Sequence, residues 1–378
     1  MTTPTQAEWL TQAAREQLQG CRSMAFDGTV LFTPDGQGSY GALWTRDFAY
    51  MVENAWELLD PREVRAAIGY LLRGQRADGC IPDRVQVDGL AVYSAGPAEA
   101  PLGEPPTDNT QFMVALVATY VQHTGDLELA ARTLPQLRRA MAFTPRSPDG
   151  LVVIPPGQRQ SPYGFTDTIA KTGKLLFSSL LYWRACLQMA GLCDALGTES
   201  TYRDQAQAIV EALDCLWDED GGAYRAATET CRQLDIWGNA YAVAIGLVQG
   251  ERRQRILHFL QDHRDAFLYR GQVRHLLRGQ TWERTLIPVE PETYQNGAYW
   301  ATASGWVIDA LAELGPELAR ALALDLIEDF QTAGICECIN PAGYRKLEHY
   351  VVSAVNPLPA VRRALGQQAC ESTNAAQA

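Results

Sequence analysis

Two acidic residues stand in apolar surroundings, where a carboxyl group can serve catalysis as a proton donor or acceptor. Asp167 follows Tyr163 and Phe165 in the segment SPYGFTDT, with no basic residue next to it. Glu337 lies between two cysteines in the segment GICECINPAG, before the turn residues Asn-Pro and Gly. An apolar setting raises the pKa of a carboxyl group, and a buried charge is costly unless it is paired or useful. The pattern predicts that Asp167 is a general acid and that Glu337 is functional. A helix N-cap is the alternative for Asp167.

The segment LWTRDF combines an aromatic side chain with two charged ones. Trp44 offers an apolar face, and Arg46 and Asp47 supply donors and an acceptor beside it. A sugar ring stacks on an aromatic face while its hydroxyl groups bond to charged side chains. We therefore predict that these three residues bind a polyhydroxylated ligand. The alternative is a solvated ion pair at the start of a helix.

Three further segments place polar and aromatic residues at predicted helix starts. In TDNTQF, Asp108 is predicted to cap a helix over 109–123, which leaves Asn109 and Gln111 to point into the site. The segments DIWGN and ETYQNGAYW are weaker signals of the same kind. The remaining candidate substrate-binding residues are Tyr163, Asp235, Trp237, Asn239, Gln295, Asn296, Tyr299 and Trp300.

Helical periodicity dominates the chain, and about eleven or twelve helices are predicted. Asp60 with Pro61 should start one helix, and Asp126 should cap another. Strand-like alternation is confined to short pieces such as 29–32 and 152–154. The predicted helices cover residues 5–19, 44–59, 109–123, 127–143, 173–196, 201–216, 236–248, 252–267, 298–314 and 317–332, with one helix beginning at residue 61 and a short one after residue 357.

The helices come in pairs joined by alternating short and long loops, and the long loops carry the polar and aromatic candidates. Six such pairs closed into a ring form an all-α (α/α)6 barrel with short β elements in its loops. A helical solenoid is the alternative, but solenoids need a regular repeat, and the spacing here is irregular. No linker divides the chain, so we predict a single catalytic domain over residues 1–370 and a disordered tail over 371–378.

Composition excludes several classes of function. The 378 residues are 47% hydrophobic and carry a net charge of −12 without a basic stripe, which argues against nucleic acid as a partner. The longest apolar stretch, 240–248, is about half a bilayer span, and the polar N-terminus has no signal-peptide core. We expect a cytoplasmic location and no membrane association. Nine cysteines without a C-x-x-C pair make a metal site improbable, and no cofactor is expected.

The quoted segments, in this order, resemble those of six-hairpin glycosidases, in particular the trehalase family and the processing α-glucosidase family, which includes sugar-glycerate hydrolases. The resemblance covers roughly residues 40 to 358 and implies that Asp167 is the general acid and Glu337 the general base. QNGAYW is similar to the second trehalase signature but lacks its Trp-Asp and Pro, so trehalose is a doubtful substrate. Asp235 is the alternative acid. Glu283, Glu292 and Glu348 are alternative bases.

The resemblance implies an inverting exo-glycosidase that acts on an α-linked small saccharide or sugar conjugate. Inversion needs two carboxyl groups about 6.5–9.5 Å apart, so that a water molecule fits between one of them and the sugar. A same-fold sugar epimerase, phosphorylase or lyase and a non-catalytic carbohydrate-binding protein are the alternatives. The partner expected is a small glycoside, and a homo-oligomer is possible because the chain lacks the extra β-domain of many relatives.

Overall fold

The helices of the computed structural model, which describes residues 5–366, account for most of its regular structure. The predicted tail over 371–378 lies outside the described residues. The helices are α1 (Gln6–Gly20), α2 (Thr45–Asn54), α3 (Pro61–Arg73), α4 (Asn109–Thr124), α5 (Leu127–Phe143), α6 (Leu176–Ala195), α7 (Tyr202–Ala212), α8 (Ile236–Ala244), α9 (Gly250–Asp262), α10 (Arg264–Phe267), α11 (Ser304–Ala312), α12 (Pro316–Ala333), α13 (Val351–Val355) and α14 (Leu358–Gly366).

The strands are short and lie in the loops between helices. They form antiparallel hairpins, except that β3, β4 and β5 make one three-stranded sheet. The strands are β1 (Arg22–Met24), β2 (Val30–Phe32), β3 (Ala42–Trp44), β4 (Arg84–Gln86), β5 (Ala91–Val92), β6 (Val153–Ile154), β7 (Gly173–Lys174), β8 (Trp217–Asp218), β9 (Ala223–Tyr224), β10 (Leu268–Tyr269), β11 (Gln272–Val273), β12 (Cys336–Ile339) and β13 (Arg345–Glu348).

Six helices form an inner ring. Helix α2 contacts α4, and the contacts continue through α6 and α8 to α11. Helix α13 packs against the 3-10 turn Ala301–Ala303, which leads into α11, and against α2, and this closes the circle. Every residue of α13 and nearly every residue of α8 is buried, as expected of helices that are apolar all round. The outer helices are one-sided: α3 buries Val64, Ala67, Ile68 and Leu71, a helical stripe. Helix α1 packs against α13 and α14. With six helices in an inner ring and others packed outside it, the predicted (α/α)6 barrel is confirmed.

Local capping explains where several helices begin. The carboxylate of Asp60 accepts a hydrogen bond from the Arg62 amide at 2.8 Å with Pro61 at the first helical position, and Asp126 accepts one from the Leu129 amide at 2.9 Å. Both predicted starts are confirmed. Asp108 is the residue before α4, so the predicted start at residue 109 is confirmed. Its side chain makes no capping hydrogen bond, because the carboxylate accepts hydrogen bonds from Arg46 and from the Gly164 amide instead, and the predicted side-chain cap is therefore wrong.

Several predicted helices are longer than the observed ones, because residues near their predicted ends form hydrogen bonds outside the helix. The pattern over 44–59 ends as α2 at Asn54, and a separate 3-10 turn, Trp56–Leu58, follows it. The pattern over 298–314 becomes helical only at Ser304, since the backbones of Tyr299 and Trp300 pair with Ile339 and Val273.

The other corrections are of the same kind. The pattern over 173–196 begins as β7, where Gly173 has a φ of +82° and pairs with Ile154. The pattern over 252–267 is two helices separated at His263. The predicted helices over 201–216 and 236–248 end early, at Ala212 and Ala244.

No helix in the described part of the chain is long and apolar enough to cross a membrane.

Candidate active site

The hairpin of β12 and β13 positions Glu337. Its turn is locally determined: the Asn340 side-chain oxygen accepts hydrogen bonds from the amides of Ala342 and Tyr344 at 2.9 and 3.0 Å, and Gly343 has a φ of +92°. The sequence pattern identified this turn but not the strand before it. Glu337 lies within β12 and is only 2% exposed. The hairpin therefore carries a charged side chain into the interior of the barrel mouth.

Asp167 lies in the long loop before α6, after the 3-10 turn Gly164–Thr166 and well ahead of the helix itself. It is therefore not an N-cap of α6. Gln295 fixes this loop, because its side-chain oxygen accepts hydrogen bonds from the amide and the hydroxyl of Thr168 at 2.8 and 2.7 Å. The amide nitrogen of the same glutamine donates to Oδ1 of Asp167 at 2.8 Å. One carboxylate oxygen of Asp167 is thus held, and the other has no protein donor among the described residues.

Asp167 and Glu337 line one cavity, which we call the inner cavity. Polar and aromatic side chains from six segments of the chain form its wall. The lining residues are Pro34, Tyr40, Trp44, Arg46, Asp47, Gly164, Phe165, Asp167, Tyr294, Gln295, Trp300, Glu337 and Tyr350. The fold therefore brings together two acidic residues that are 170 positions apart in the sequence.

Burial raises the pKa of Asp167 to about 7, because the charged form of a desolvated carboxyl group is disfavoured. The charge of Arg46 and the hydrogen bond from Gln295 act in the opposite direction but do not cancel the effect. A carboxyl group with this pKa is partly protonated near neutral pH. It can therefore donate a proton.

Glu337 has a different environment. Burial also raises its pKa, but Lys346 and Tyr40 oppose this effect. The ammonium nitrogen of Lys346 lies 2.9 Å from Oε2, and the Tyr40 hydroxyl donates a hydrogen bond to Oε1 at 3.0 Å. A cation and a hydroxyl donor both stabilise the ionised form of Glu337. This carboxylate is therefore suited to accept a proton.

A third carboxyl group, Asp47, also faces the inner cavity. Burial raises its pKa to about 6, while the neighbouring charge of Arg46 and a hydrogen bond from the Tyr350 hydroxyl, at 2.6 Å, lower it. Asp47 is 4% exposed and belongs to the first turn of α2. Its position is suited to accept a hydrogen bond from a ligand hydroxyl.

Arg46 is anchored by a buried charge cluster. Its guanidinium lies 2.6 Å from Asp83 and 3.2 Å from Asp108, and it donates to the side-chain oxygen of Asn109 at 3.1 Å. Asp108 also accepts a hydrogen bond from the Gly164 amide at 2.9 Å. The fully buried carboxylates of Asp83 and Asp108 thus hold the guanidinium of Arg46, and Arg46 also lines the inner cavity.

A second cavity of about 470 Å³, the outer cavity, adjoins the first. Tyr40, Trp44, Asp167 and Tyr294 line both, so the two are neighbouring parts of one cleft. The outer cavity also has Arg84 in its wall, whose guanidinium stacks 4.5 Å from the ring of Trp44. Asp167 therefore lies at the junction of two compartments.

Eight of the predicted substrate-binding residues line neither cavity. Asn109 lies behind Arg46, and Gln111 donates to the backbone of Thr107. Most of the others likewise bond to backbone or pack in the core. These eight are Asn109, Gln111, Tyr163, Asp235, Trp237, Asn239, Asn296 and Tyr299.

Asp235 and Tyr163 illustrate the structural roles of these eight residues. Asp235 caps α8 through the Gly238 amide and has Lys171 at 3.7 Å. Tyr163 is buried, with its hydroxyl 2.7 Å from that of Tyr50. The other predicted residues, Trp44, Arg46, Asp47, Gln295 and Trp300, line the inner cavity together with the two carboxylates.

None of the alternative carboxylates lines the inner or the outer cavity. Glu283 bonds to the Cys231 amide, and Glu292 pairs with Arg274. Glu348 is exposed at the end of β13. Asp235 lies in the α8 cap described above.

Several cavity residues were not selected in the sequence analysis. Tyr40, Tyr294, Tyr350 and Arg84 line the cleft, and Lys346 contacts Glu337. The segments around Tyr294, Tyr350 and Arg84 contain recognisable aromatic and charged residues. The only sequence signal for Lys346 is that it follows the turn after Glu337. In a hairpin the second strand runs back beside the first, so a residue after the turn can lie next to one before it.

Comparison with known proteins gives one family. Residues 40–346 match the family model of the mannosylglycerate hydrolase MGH1-like glycoside hydrolase domain. No curated protein sequence matches the chain.

Several solved structures share the fold. A GH63 mannosylglycerate hydrolase from Thermus thermophilus, in complex with Tris and D-glycerate, superposes with a TM-score of 0.67 at 18% identity, covering 92% of this chain and 99% of that one. A rhamnosidase from Klebsiella oxytoca with rhamnose bound gives 0.67 at 17% identity, covering 97% of this chain and 65% of that one. A GH78 family rhamnosidase from Bacillus sp. GL1 gives 0.63 at 15% identity, covering 96% and 35%.

At such low identity these structures establish the fold and nothing more. The family match is independent of them, spans most of the chain and includes Trp44, Asp167 and Glu337. The chain therefore belongs to the mannosylglycerate hydrolase MGH1-like glycoside hydrolase domain family and is a glycoside hydrolase.

Proposed function

We propose that this protein is an inverting exo-glycosidase that hydrolyses an α-linked sugar conjugate, with Asp167 as general acid and Glu337 as general base. Asp167 protonates the glycosidic oxygen as the bond to the anomeric carbon breaks. Glu337 takes a proton from the water that attacks the opposite face of that carbon. The observation that carries the proposal is that two carboxyl groups with unlike surroundings line a single cavity.

The difference between the two surroundings supports the division of roles. Burial raises the pKa of Asp167 to about 7, and no cation lies within ion-pair distance of it in the described part of the chain. Glu337 has the ammonium of Lys346 at 2.9 Å. Burial raises the pKa of both carboxyl groups, but only Glu337 has a cation beside it in the described part of the chain. Unlike surroundings of two titratable groups are typical of acid and base pairs. We therefore assign Asp167 as the protonated partner and Glu337 as the ionised one.

We assign the nonreducing sugar to the inner end of the cleft, where its ring would contact the wall of the inner cavity, about 40 Å³ in volume, and extend toward the outer cavity, about 470 Å³ in volume. Trp44 and Trp300 provide apolar faces, and Arg46, Asp47 and Gln295 provide polar groups. Phe165 also lines this cavity; it packs edge to face against Trp300 with ring centroids 5.7 Å apart, and both side chains are almost fully buried. We take this buried aromatic wall as the closed end of the cleft, which favours removal of a terminal sugar. Of the eight predicted residues outside the wall, Asn109 accepts a hydrogen bond from Arg46, and Trp237 packs against Phe165 and Trp300.

The outer cavity is suited to the leaving group, since Asp167 stands between the two compartments. The family model is that of a mannosylglycerate hydrolase, which makes α-mannosylglycerate the first substrate to test. Arg84 in the outer wall is a cation that favours an acidic leaving group such as a glycerate. No histidine lines either cavity in residues 5–366, which weighs against an epimerase with two histidine proton carriers.

The test is hydrolysis of a panel of α-linked mannosyl- and glucosyl-glycerates, simple mannosides, glucosides, rhamnosides and trehalose, with the product anomer resolved by NMR. Wild type should release a sugar of inverted configuration. Asp167→Asn and Glu337→Gln should lose hydrolysis by at least about 100-fold. Glu348→Gln, which removes an exposed carboxylate outside both cavities, is the matched control and should hydrolyse normally.

An activated aryl glycoside separates the two roles. Its leaving group departs without a proton, so Asp167→Asn should hydrolyse it far better than the natural linkage. Glu337→Gln should fail on both substrates. Retained configuration in the product, or undiminished hydrolysis by either variant, would refute the assignment.

A further inference from the structure

We propose that Lys346, acting together with Tyr40, is a positioning residue that holds Glu337 ionised and aimed at the attacking water. This inference rests on the proposed role of Glu337 as the general base. The function of Lys346 is not to contact the sugar, since it lines neither cavity. It acts through the carboxylate.

Three contacts form a closed arrangement around the carboxylate of Glu337. The Lys346 ammonium lies 2.9 Å from Oε2, and it donates a hydrogen bond to the Tyr40 hydroxyl at 3.1 Å. The Tyr40 hydroxyl in turn donates to Oε1 at 3.0 Å. Both oxygens of Glu337 are therefore restrained by groups from outside its own strand, one from β13 and one from the loop before β3.

Lys346 is itself held in place. Its ammonium lies 3.4 Å from the centroid of the Tyr294 ring, a cation–π contact, and the Tyr294 backbone has a φ of +42°, an unfavourable conformation for a tyrosine. Such strain persists only where the surrounding structure enforces it. The lysine side chain is 31% exposed, so it is only partly withdrawn from water.

Two charged or titratable groups on the wall of the inner cavity also face Glu337: Arg46, whose guanidinium is paired with Asp83 and Asp108, and Asp167. The other titratable groups around Glu337 are carboxyl, thiol and hydroxyl groups. The negative charges of Asp35 and Asp47, both in the N-terminal part of the chain, disfavour the ionised form of Glu337. The remaining groups come from the loop before α11, from β12 itself and from the chain around β13: they are Tyr294, Cys338, Tyr344 and Tyr350. In the part of the chain that the structure describes, Lys346 is the cation within ion-pair distance of Glu337.

Removal of this charge has a definite consequence. A buried carboxylate near two other acidic groups takes up a proton at higher pH once its cation is gone. A protonated Glu337 cannot accept a proton from water. Hydrolysis should then fail at the acidic end of the pH range, where the wild type is still active.

The experiment is the pH profile of kcat/KM for wild type, Lys346→Met and Lys346→Arg. In Lys346→Met the acidic limb should move to higher pH by about one to two units. The alkaline limb should move in the same direction by less, because the charge of Lys346 also lowers the pKa of Asp167 but is a smaller influence there than that of Arg46. Lys346→Arg should keep the wild-type profile within about half a unit, since the charge is restored. Tyr40→Phe removes the second donor and should move the acidic limb in the same direction by less.

Lys174→Met is the matched control. It removes a lysine that pairs with Asp149 outside both cavities, so its profile should match that of the wild type. An unmoved acidic limb in Lys346→Met, or an equal shift in Lys174→Met, would overturn the inference. If Glu337→Gln abolishes hydrolysis while Lys346→Met leaves the profile unmoved, only this inference fails. If Glu337→Gln hydrolyses normally, the proposed function fails first.

Discussion

Replacement of Gly164 by alanine should disrupt the buried cluster around Arg46. A Cβ at this position would lie 1.8 Å from Nε, 2.0 Å from Cδ and 2.2 Å from Cζ of Arg46. Non-bonded atoms settle about 3.5–4.0 Å apart, so the guanidinium would have to move away by roughly 2 Å. Gly164 has no positive φ, which makes the effect purely one of space.

The cost follows from what the guanidinium would leave behind. Asp83 and Asp108 have no solvent exposure and lie 2.6 and 3.2 Å from Arg46. Loss of the partner of a buried charge costs about 3–5 kcal/mol, and overpacking alone costs about 1–3 kcal/mol. We expect Gly164→Ala to lower the free energy of unfolding by at least about 3 kcal/mol. Hydrolysis should fall by about 100-fold or more, because Arg46 lines the inner cavity.

Denaturant unfolding monitored by tryptophan fluorescence measures the stability, and a lower midpoint at an unchanged slope identifies a loss in the native state. Gly191→Ala is the matched control, since the added Cβ on α6 meets nothing within 4 Å. This variant should gain about 0.5–1 kcal/mol and keep full activity. If Gly164→Ala stays within about 1 kcal/mol of the wild type and remains active, the Arg46 cluster is not as tightly packed as we infer.

Four further predictions concern the pH dependence of activity, the pH dependence of stability, the glutamine beside the acid and one helix cap. The kcat/KM of the wild type should fall as pH rises through the pKa of Asp167, about 7, because only the protonated form donates; a flat profile from pH 6 to 9 would contradict this. The pKa of Asp167 in the folded protein exceeds the value of 3.8 for the unfolded chain, so this carboxyl group lowers the stability as the pH rises above 3.8. Asp167→Asn should therefore raise the free energy of unfolding by about 1–3 kcal/mol at pH 8 and by almost nothing near pH 3.5. Parallel denaturant titrations at the two pH values measure this difference. Gln295→Leu should lower kcat by about 10- to 100-fold and move the alkaline limb to higher pH, because it removes a donor to the Asp167 carboxylate; an unchanged limb would show that the hydrogen bond has no effect on the acid. Asp126→Ala should cost about 1–2 kcal/mol in denaturant unfolding without a change in kcat, because it removes the cap of α5 and the partner of Arg65, and a change in kcat would be unexpected.

The helix starts that were predicted correctly depend on near neighbours in the chain. A cap such as Asp60 with Pro61, or Asp126 at α5, involves residues two or three positions apart. Asp108 has the same sequence signal, but its carboxylate bonds to Arg46, 62 positions earlier, and to the Gly164 amide. A buried cation binds a carboxylate more strongly than a backbone amide does, so the tertiary partner prevails over the local one.

The two proposed catalytic carboxylates stood out in the sequence because each is a charged residue in an apolar segment. That local contrast predicts burial, and burial is what raises the pKa of Asp167. The same reasoning also selected Asn109, Trp237 and Tyr299, which lie behind the cavity wall. The sequence shows that a residue is polar or aromatic. It does not show whether the side chain faces a cavity or bonds to the backbone behind the cavity wall.

The sequence by itself thus determined the helical barrel, the turn that presents Glu337 and the acidic residues with unusual surroundings. These follow from periodicity, turn chemistry and composition, which act over a few residues. Only the tertiary structure decided which groups meet: Tyr40 reaches Glu337 across 297 positions, and Gln295 reaches Asp167 across 128. Such contacts depend on the closure of the six-helix ring, and no local pattern of residues encodes a distance between its loops.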